Sequence, residues 1–141
     1  MAESALMEAK PGHKSIAIGK DSRPYIEAFR CPDCGAVVAE QTMACRACAS
    51  RNPPEPFRAK ETGSLHTWSI VHRTYPGIEV PFVSAIVDFD GGPALKGTVR
   101  VAQDALREGL PLRLVFDDAG GARDKDSAPY IGFHFVAGDA A

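Results

Sequence analysis

The chain has 141 residues, a net charge of −2 and 45% hydrophobic residues, the profile of a globular protein large enough for one domain or two small ones. That charge argues against phosphate neutralisation as the main task, since non-specific nucleic-acid binding needs a basic excess or a basic face. No apolar run approaches the ~20 residues that span a bilayer, and Met1-Ala2-Glu3-Ser4 carries an acid where a secretory leader would carry lysines; no membrane association and a cytoplasmic location are expected.

Residues 1–21 read as a flexible N-terminal arm, polar and broken at Pro11-Gly12. Ile16 and Ile18 alternate over too short a run to define an element. Ser22 to Arg30 is expected to form one or two helical turns, with Ser22 as cap and Pro24 in the first turn. Tyr25, Ile26 and Phe29 would then make a small apolar stripe, packed on the next module or offered to a partner.

That next module is set by Cys31-Pro32-Asp33-Cys34-Gly35 and Cys45-Arg46-Ala47-Cys48, which use all four cysteines of the chain. Two Cys-x-x-Cys turns facing each other place four thiolates at the corners of a tetrahedron, the geometry of a closed structural zinc site. Residues 29–50 therefore read as a zinc ribbon with Cys31, Cys34, Cys45 and Cys48 as ligands. Two disulfides or a redox dithiol are the alternatives, and a rubredoxin-type iron site has similar ligands, because spacing alone does not choose the metal. Four protein thiolates leave no open position for water or substrate, so the site staples the fold and catalyses nothing. Gly35 follows the first pair, where a left-handed residue turns the backbone amides toward sulfur; Ala49-Ser50 stands at the equivalent place after the second.

Arg51 to Lys60 carries Pro53, Pro54 and Pro56, which forbid a helix and favour a stiff extended connector. The expected division is a short helix and zinc ribbon over 22–58, a β domain over 59–137 and a tail at 138–141.

From Gly63 onward the pattern has period two. Val83, Ala85, Val87 and Phe89 share one face, as do Leu95, Gly97, Val99 and Val101 against Lys96, Thr98 and Arg100. Leu112, Leu114 and Phe116 oppose Arg113 and Asp117, and Ile131, Phe133 and Phe135 oppose His134. Such alternation marks strands with one buried face. Ser64 to Thr74 does not alternate cleanly, as in a strand bent at a bulge. Turns are expected at Tyr75-Pro76-Gly77 and Asp90-Gly91-Gly92-Pro93, a helical turn over Gln103–Gly109, and a mobile polar loop over Asp117–Ala128. The fold class is mainly β: an N-terminal zinc ribbon followed by a five-stranded OB-fold barrel.

Ribbon and barrel in this order resemble a known family, the OB-fold proteins with an N-terminal rubredoxin-like zinc ribbon, long described as a domain of unknown function. The resemblance spans roughly residues 24–136 and rests on the two cysteine pairs, on Gly63, on Trp68-Ser69-Ile70-Val71-His72-Arg73, on Pro76-Gly77 and Pro81-Phe82-Val83, and on Gly109-Leu110-Pro111-Leu112-Arg113. It implies an accessory subunit or fused domain for acyl-CoA enzymes, namely thiolases, related synthases, and aldolases or hydratases of steroid side-chain degradation, bridging catalytic partners and helping to hold the acyl-CoA. Homo- or hetero-oligomers follow from such a role. The chain departs from the family in lacking the proline and glycine of the second cysteine pair and in its short N-terminal segment.

Candidate ligand-binding residues are Trp68, His72 and Arg73 near the end of the first barrel strand, and Lys96, Arg100 and Arg113 on polar strand faces. An aromatic beside a cation suits an adenine or a phosphate, and arginines suit the phosphates of coenzyme A; the plainer alternative is a barrel-closing Trp68 and solvated cations. Tyr75, Phe82 and Tyr130 belong to the core or to a subunit interface. His66 and His72 lack a third ligand and make a poor metal site. Catalysis by the chain alone is not expected, since it has neither a Gly-x-Ser-x-Gly elbow nor a phosphate-binding glycine loop. The competing functions are a nucleic-acid-binding ribbon/OB module, which would want strand aromatics for base stacking, and a thioester hydrolase, for which no base is evident.

Overall fold

The alternating runs become the inner face of a closed barrel. The computed structural model describes residues 10–21, 23–121 and 127–138. Among them the strands are β1 (Lys10–Pro11), β2 (Ile16–Ile18), β3 (Pro24–Arg30), β4 (Val37–Val38), β5 (Glu55–Arg58), β6 (Thr62–Val71), β7 (Phe82–Phe89), β8 (Ala94–Val99), β9 (Pro111–Asp117) and β10 (Tyr130–Ala137). Five of these close in the order β6-β7-β8-β10-β9 and back to β6. The β8–β10 pairing is parallel and the rest are antiparallel. Closure removes the sheet edges that would otherwise pair with other chains.

Leu65, Val83, Ala85, Val87, Phe89, Leu95, Val99, Leu112, Leu114 and Phe135 point inward and are buried. Each large aliphatic residue so buried is worth roughly 1.5–3 kcal/mol. Gly97 is required for this packing, because a Cβ there would stand 2.7 Å from the Phe135 ring and 3.1 Å from that of Phe133. Strand β6 makes the expected bend: its first residues pair with β9, its length pairs with β7, and the register slips between Leu65 and Thr67. The expected helical turn is a short 3-10 segment at Gln103–Ala105, and Leu106 and Leu110 beside it pack on the core.

The region before the barrel differs from expectation. Pro24–Arg30 is a strand, not a helical turn, and Ser22, the expected cap, lies outside the described residues. Ile26 and Ala28 are fully buried while their alternate neighbours are only partly so, which is a period of two. Pairing with three strands overrides the local capping signal, and Pro24 is tolerated at a strand's first residue. The helical stripe of Tyr25, Ile26 and Phe29 therefore does not exist; Ile26 is core and Arg58 lies over the Tyr25 ring at 5.0 Å. The proline-rich connector is likewise not a free linker, since Glu55–Arg58 pairs with β3 and Arg30 covers the Phe57 ring at 4.6 Å.

Ile16, Ile26, Ala28 and Ala59 belong to the same buried cluster as the barrel residues. Ribbon sheet and barrel thus share one core. The end of the expected arm is also held, with Lys10 and Pro11 paired in parallel to Tyr130 and Ile131; residues 1–9 lie outside the described residues. The Asp117–Ala128 loop is described only to residue 121 and again from 127.

His134, expected on the polar face of β10, is buried. Its Nδ1 lies 2.6 Å from Asp117 Oδ2, and the other carboxylate oxygen accepts the Ala119 amide at 2.8 Å. The 119–121 turn folds over β10 at Gly132, so this stretch of outer face is covered. No helix among the described residues is long and apolar enough to cross a membrane.

His13 packs edge-on against Phe133, 5.4 Å between ring centroids, and its Nδ1 accepts the Ser15 amide at 3.0 Å. Burial holds His13 below the ordinary histidine range, Lys14 adds to this and Glu40 opposes it. The folded value therefore lies below that of the unfolded chain. Its contribution to stability is complete above about pH 6.5 and is lost as pH falls through the lower folded value. Urea unfolding of the wild type and His13→Gln at pH 7.5 and pH 5 should show the wild type's advantage shrinking toward acid; an advantage that grows toward acid contradicts this assignment.

Candidate metal centre

Two turns of the same design bring the cysteines together. In the first, Cys31 N–H donates to Ala36 O at 2.8 Å and Gly35 N–H to Cys31 O at 3.0 Å. In the second, Cys45 N–H donates to Ser50 O and Ala49 N–H to Cys45 O, both at 2.8 Å. Residue for residue, Ala49 occupies the place of Gly35, and both are left-handed, with φ of 64° and 78°.

The four sulfurs lie within 4.8 Å of one another, with Cys31···Cys48 at 3.7 Å and Cys34···Cys45 at 3.6 Å. Sulfurs held about 2.3 Å from one tetrahedral ion stand about 3.8 Å apart. The donor set therefore fits such an ion, and all four thiols are free of disulfides. Electrostatics agree. The amides of Cys48 and Ala47 lower the Cys45 thiol to about 6. The Ser50 amide favours the Cys48 thiolate, yet desolvation and the three neighbouring sulfurs together push that thiol up to about 12. Four thiolates this close need a cation to coexist.

Asp33 adds a clip that the spacing of cysteines did not announce. Its carboxylate accepts hydrogen bonds from Ser50 Oγ and from Asn52 Nδ2, the latter at 2.8 Å, and these bonds hold its carboxyl below the usual carboxylate range. The first turn is thereby tied to the chain leaving the second.

The other candidate residues lie apart from this centre. Trp68 is opposite Ala85 in the register, half-buried and packed on the core, so it lines the barrel interior. His72 and Arg73 follow the end of β6 and are exposed, as is every residue to Pro81. Lys96, Arg100 and Arg113 are exposed. Arg113 is opposite Val136, and the Val99–Phe135 pairing brings Arg100 beside Val136 from the other side. The two arginines thus flank one residue, two strand spacings or about 10 Å apart. Lys96 stands four residues earlier on β8, about 13 Å along the strand. The ion pairs among the described residues involve none of the three. His66 is at the bulge, its Nδ1 3.0 Å from Asp88 Oδ2, and His72 lies beyond the strand, so no two-histidine site forms. Tyr75 is 81% exposed, while Phe82 and Tyr130 are half-buried. Sequence reasoning missed the Asp33 clip and the Asp117–His134 pair; in both, the partners are 17 to 19 residues apart and carry no local signal.

Residues 58–117 match the family model described as the ChsH2 C-terminal OB-fold domain. A solved structure titled "Ltp2-ChsH2(DUF35) aldolase" is similar over 80% of this chain and 84% of that one, at 23% identity and a TM-score of 0.63. A DUF35-family protein of unknown function from Sulfolobus solfataricus is similar over 81% of this chain and 76% of its own, at 12% identity and a TM-score of 0.50. Both likenesses concern the fold.

Gly35 is at ease with positive φ, whereas an alanine there carries strain of roughly 1 kcal/mol. Ala49→Gly should therefore stabilise the metal-loaded protein by about 1 kcal/mol in urea unfolding; a loss of stability would contradict the equivalence of the two turns.

Proposed function

We propose that this chain, whose barrel is an OB-fold domain of the ChsH2 C-terminal type, is a non-catalytic accessory subunit of an acyl-CoA-processing enzyme complex. Its catalytic partner is a thiolase-like enzyme, an aldolase or a hydratase. The observation that carries this reading is the likeness of fold to the structure titled "Ltp2-ChsH2(DUF35) aldolase", which covers 80% of this chain and so extends beyond the barrel. The cysteine cluster holds a structural zinc ion that orders the ribbon, with Cys31, Cys34, Cys45 and Cys48 as its ligands. The complex works in the cytoplasm, where thiols stay reduced.

Recognition is the chemistry left to the chain. The four thiols are gathered into the metal centre, and the Asp117–His134 pair is buried under a turn. Arg100 and Arg113, with Lys96 along the strand and Arg73 at the barrel end beside His72, offer cations without acidic partners among the described residues to the phosphates of an acyl-CoA. Trp68 is turned inward and serves the barrel rather than an adenine ring.

The nucleic-acid reading finds little support on the barrel surface. Of the outward positions of β7 and β8, which include Phe82, Ser84, Ile86, Asp88, Lys96 and Thr98, only the half-buried Phe82 at the start of β7 is aromatic, so no row of rings stands there for successive bases to stack on.

Tagged protein purified from its native host should bring down an acyl-CoA enzyme in stoichiometric amount; RNA-processing factors without any such enzyme would contradict the reading. In that complex, coenzyme A binding measured by titration calorimetry should weaken about tenfold on Arg100→Ala with Arg113→Ala, a change of ~1.4 kcal/mol. Unchanged affinity would remove these arginines from the ligand site.

A further inference from the structure

The sulfurs of the centre are unequally protected. Cys31 is buried at 7% exposure, Cys45 is half-buried, and Cys34 and Cys48 are exposed. Two sulfur contacts, Cys31···Cys48 at 3.7 Å and Cys34···Cys45 at 3.6 Å, run between the turns, and the Cys34–Cys45 contact is the one that excludes the buried sulfur.

The surrounding segment has few other ties. Between Cys31 and Asn52 the strand pairing is limited to Val37 and Val38, against Arg30 and Phe29; apart from the metal, the segment is held by the Asp33 clip, an exposed Lys14–Glu40 ion pair and the packing of Val37 and Ala39 on the core. Strands β3 and β5 are fastened separately, by their own pairing and by Ile26, Ala28 and Ala59 in the shared core. Loss of the metal would therefore loosen residues 31–52 and leave the barrel standing.

We propose that the cysteine centre is an oxidant-sensitive latch in which a hydroperoxide joins Cys34 to Cys45 first, releasing the metal and the 31–52 segment while the barrel stays folded. The inference rests on the reading of the cluster as a zinc site. The Cys34 thiolate attacks the peroxide O–O bond, giving a sulfenic acid and hydroxide; the Cys45 thiolate then attacks that sulfur and expels a second hydroxide. Two protons convert the hydroxides to water. Each sulfur loses one electron, the peroxide gains two, and the new S–S bond removes two of the four ligands. Exposure and access decide which thiolates react first.

The test uses the full-length zinc-loaded chain and graded hydrogen peroxide. Zinc release is followed with a chromogenic chelator, disulfides by peptide mapping after alkylation, and barrel integrity by thermal unfolding. Zinc should leave in step with the loss of two thiols, with Cys34–Cys45 as the first disulfide. A thiol reductant and fresh zinc should restore the starting state. A loaded chain that keeps its thiols and zinc at about tenfold molar excess of peroxide overturns the latch alone. So does a first disulfide within one turn, or a barrel that melts together with zinc loss. A reduced chain that takes up no zinc overturns the metal reading and the latch with it.

Discussion

Four thiols gathered within 4.8 Å are the constraint on which the N-terminal half depends. Sulfurs in such proximity repel as thiolates and gain little as thiols, and the opposed shifts of Cys45 and Cys48 express that conflict. A tetrahedral cation resolves it. The backbone around each pair is shaped for the same purpose, with matching amide-to-carbonyl bonds and a left-handed residue after each second cysteine. Asp33 then ties the two turns together through Ser50 and Asn52. A module this small cannot enclose a core of its own, and it does not have to. Strand β3 delivers Ile26 and Ala28 into the cluster that also holds Leu65, Val87 and Phe135.

Because the core is shared, the ribbon is an extension of the barrel rather than a bead on a string. The proline-rich stretch that looks like a linker is a paired strand, and Ala59 directly after it is buried, its amide donating to Ile26 O at 2.9 Å. Closure of the barrel leaves its sheet without free edges over most of its length. What remains to meet a partner is a surface of side chains. That surface includes the exposed 72–81 loop with Tyr75, Ile78 and Val80, and the row formed by Arg100, Val136 and Arg113.

Much of this was legible in the residues. The cysteine spacing announced the four-thiol cluster, and period-two alternation announced the buried faces of β7, β8 and β9 because those strands each expose one side. The bulge in β6 was also foreseeable, from the broken alternation after Ser64. Its consequence was not: the register slip after Leu65 turns Trp68 and Ile70 inward, which no count of residues from the sequence alone decides. Local signals misled where distant pairing decided. Ser22 and Pro24 imitate a helix start, but the partners of 24–30 lie at Ile16–Ile18, Val37–Val38 and Glu55–Arg58. His134 imitates a solvent-facing residue, but Asp117 and the turn after it cover the strand.

The most direct measurement of the central claim is the metal content and ligand shell of freshly purified, reduced protein. The account predicts one zinc ion per chain, surrounded in X-ray absorption by four sulfurs at about 2.3 Å. Metal-free protein with its thiols intact, or a shell containing nitrogen or oxygen, would contradict it.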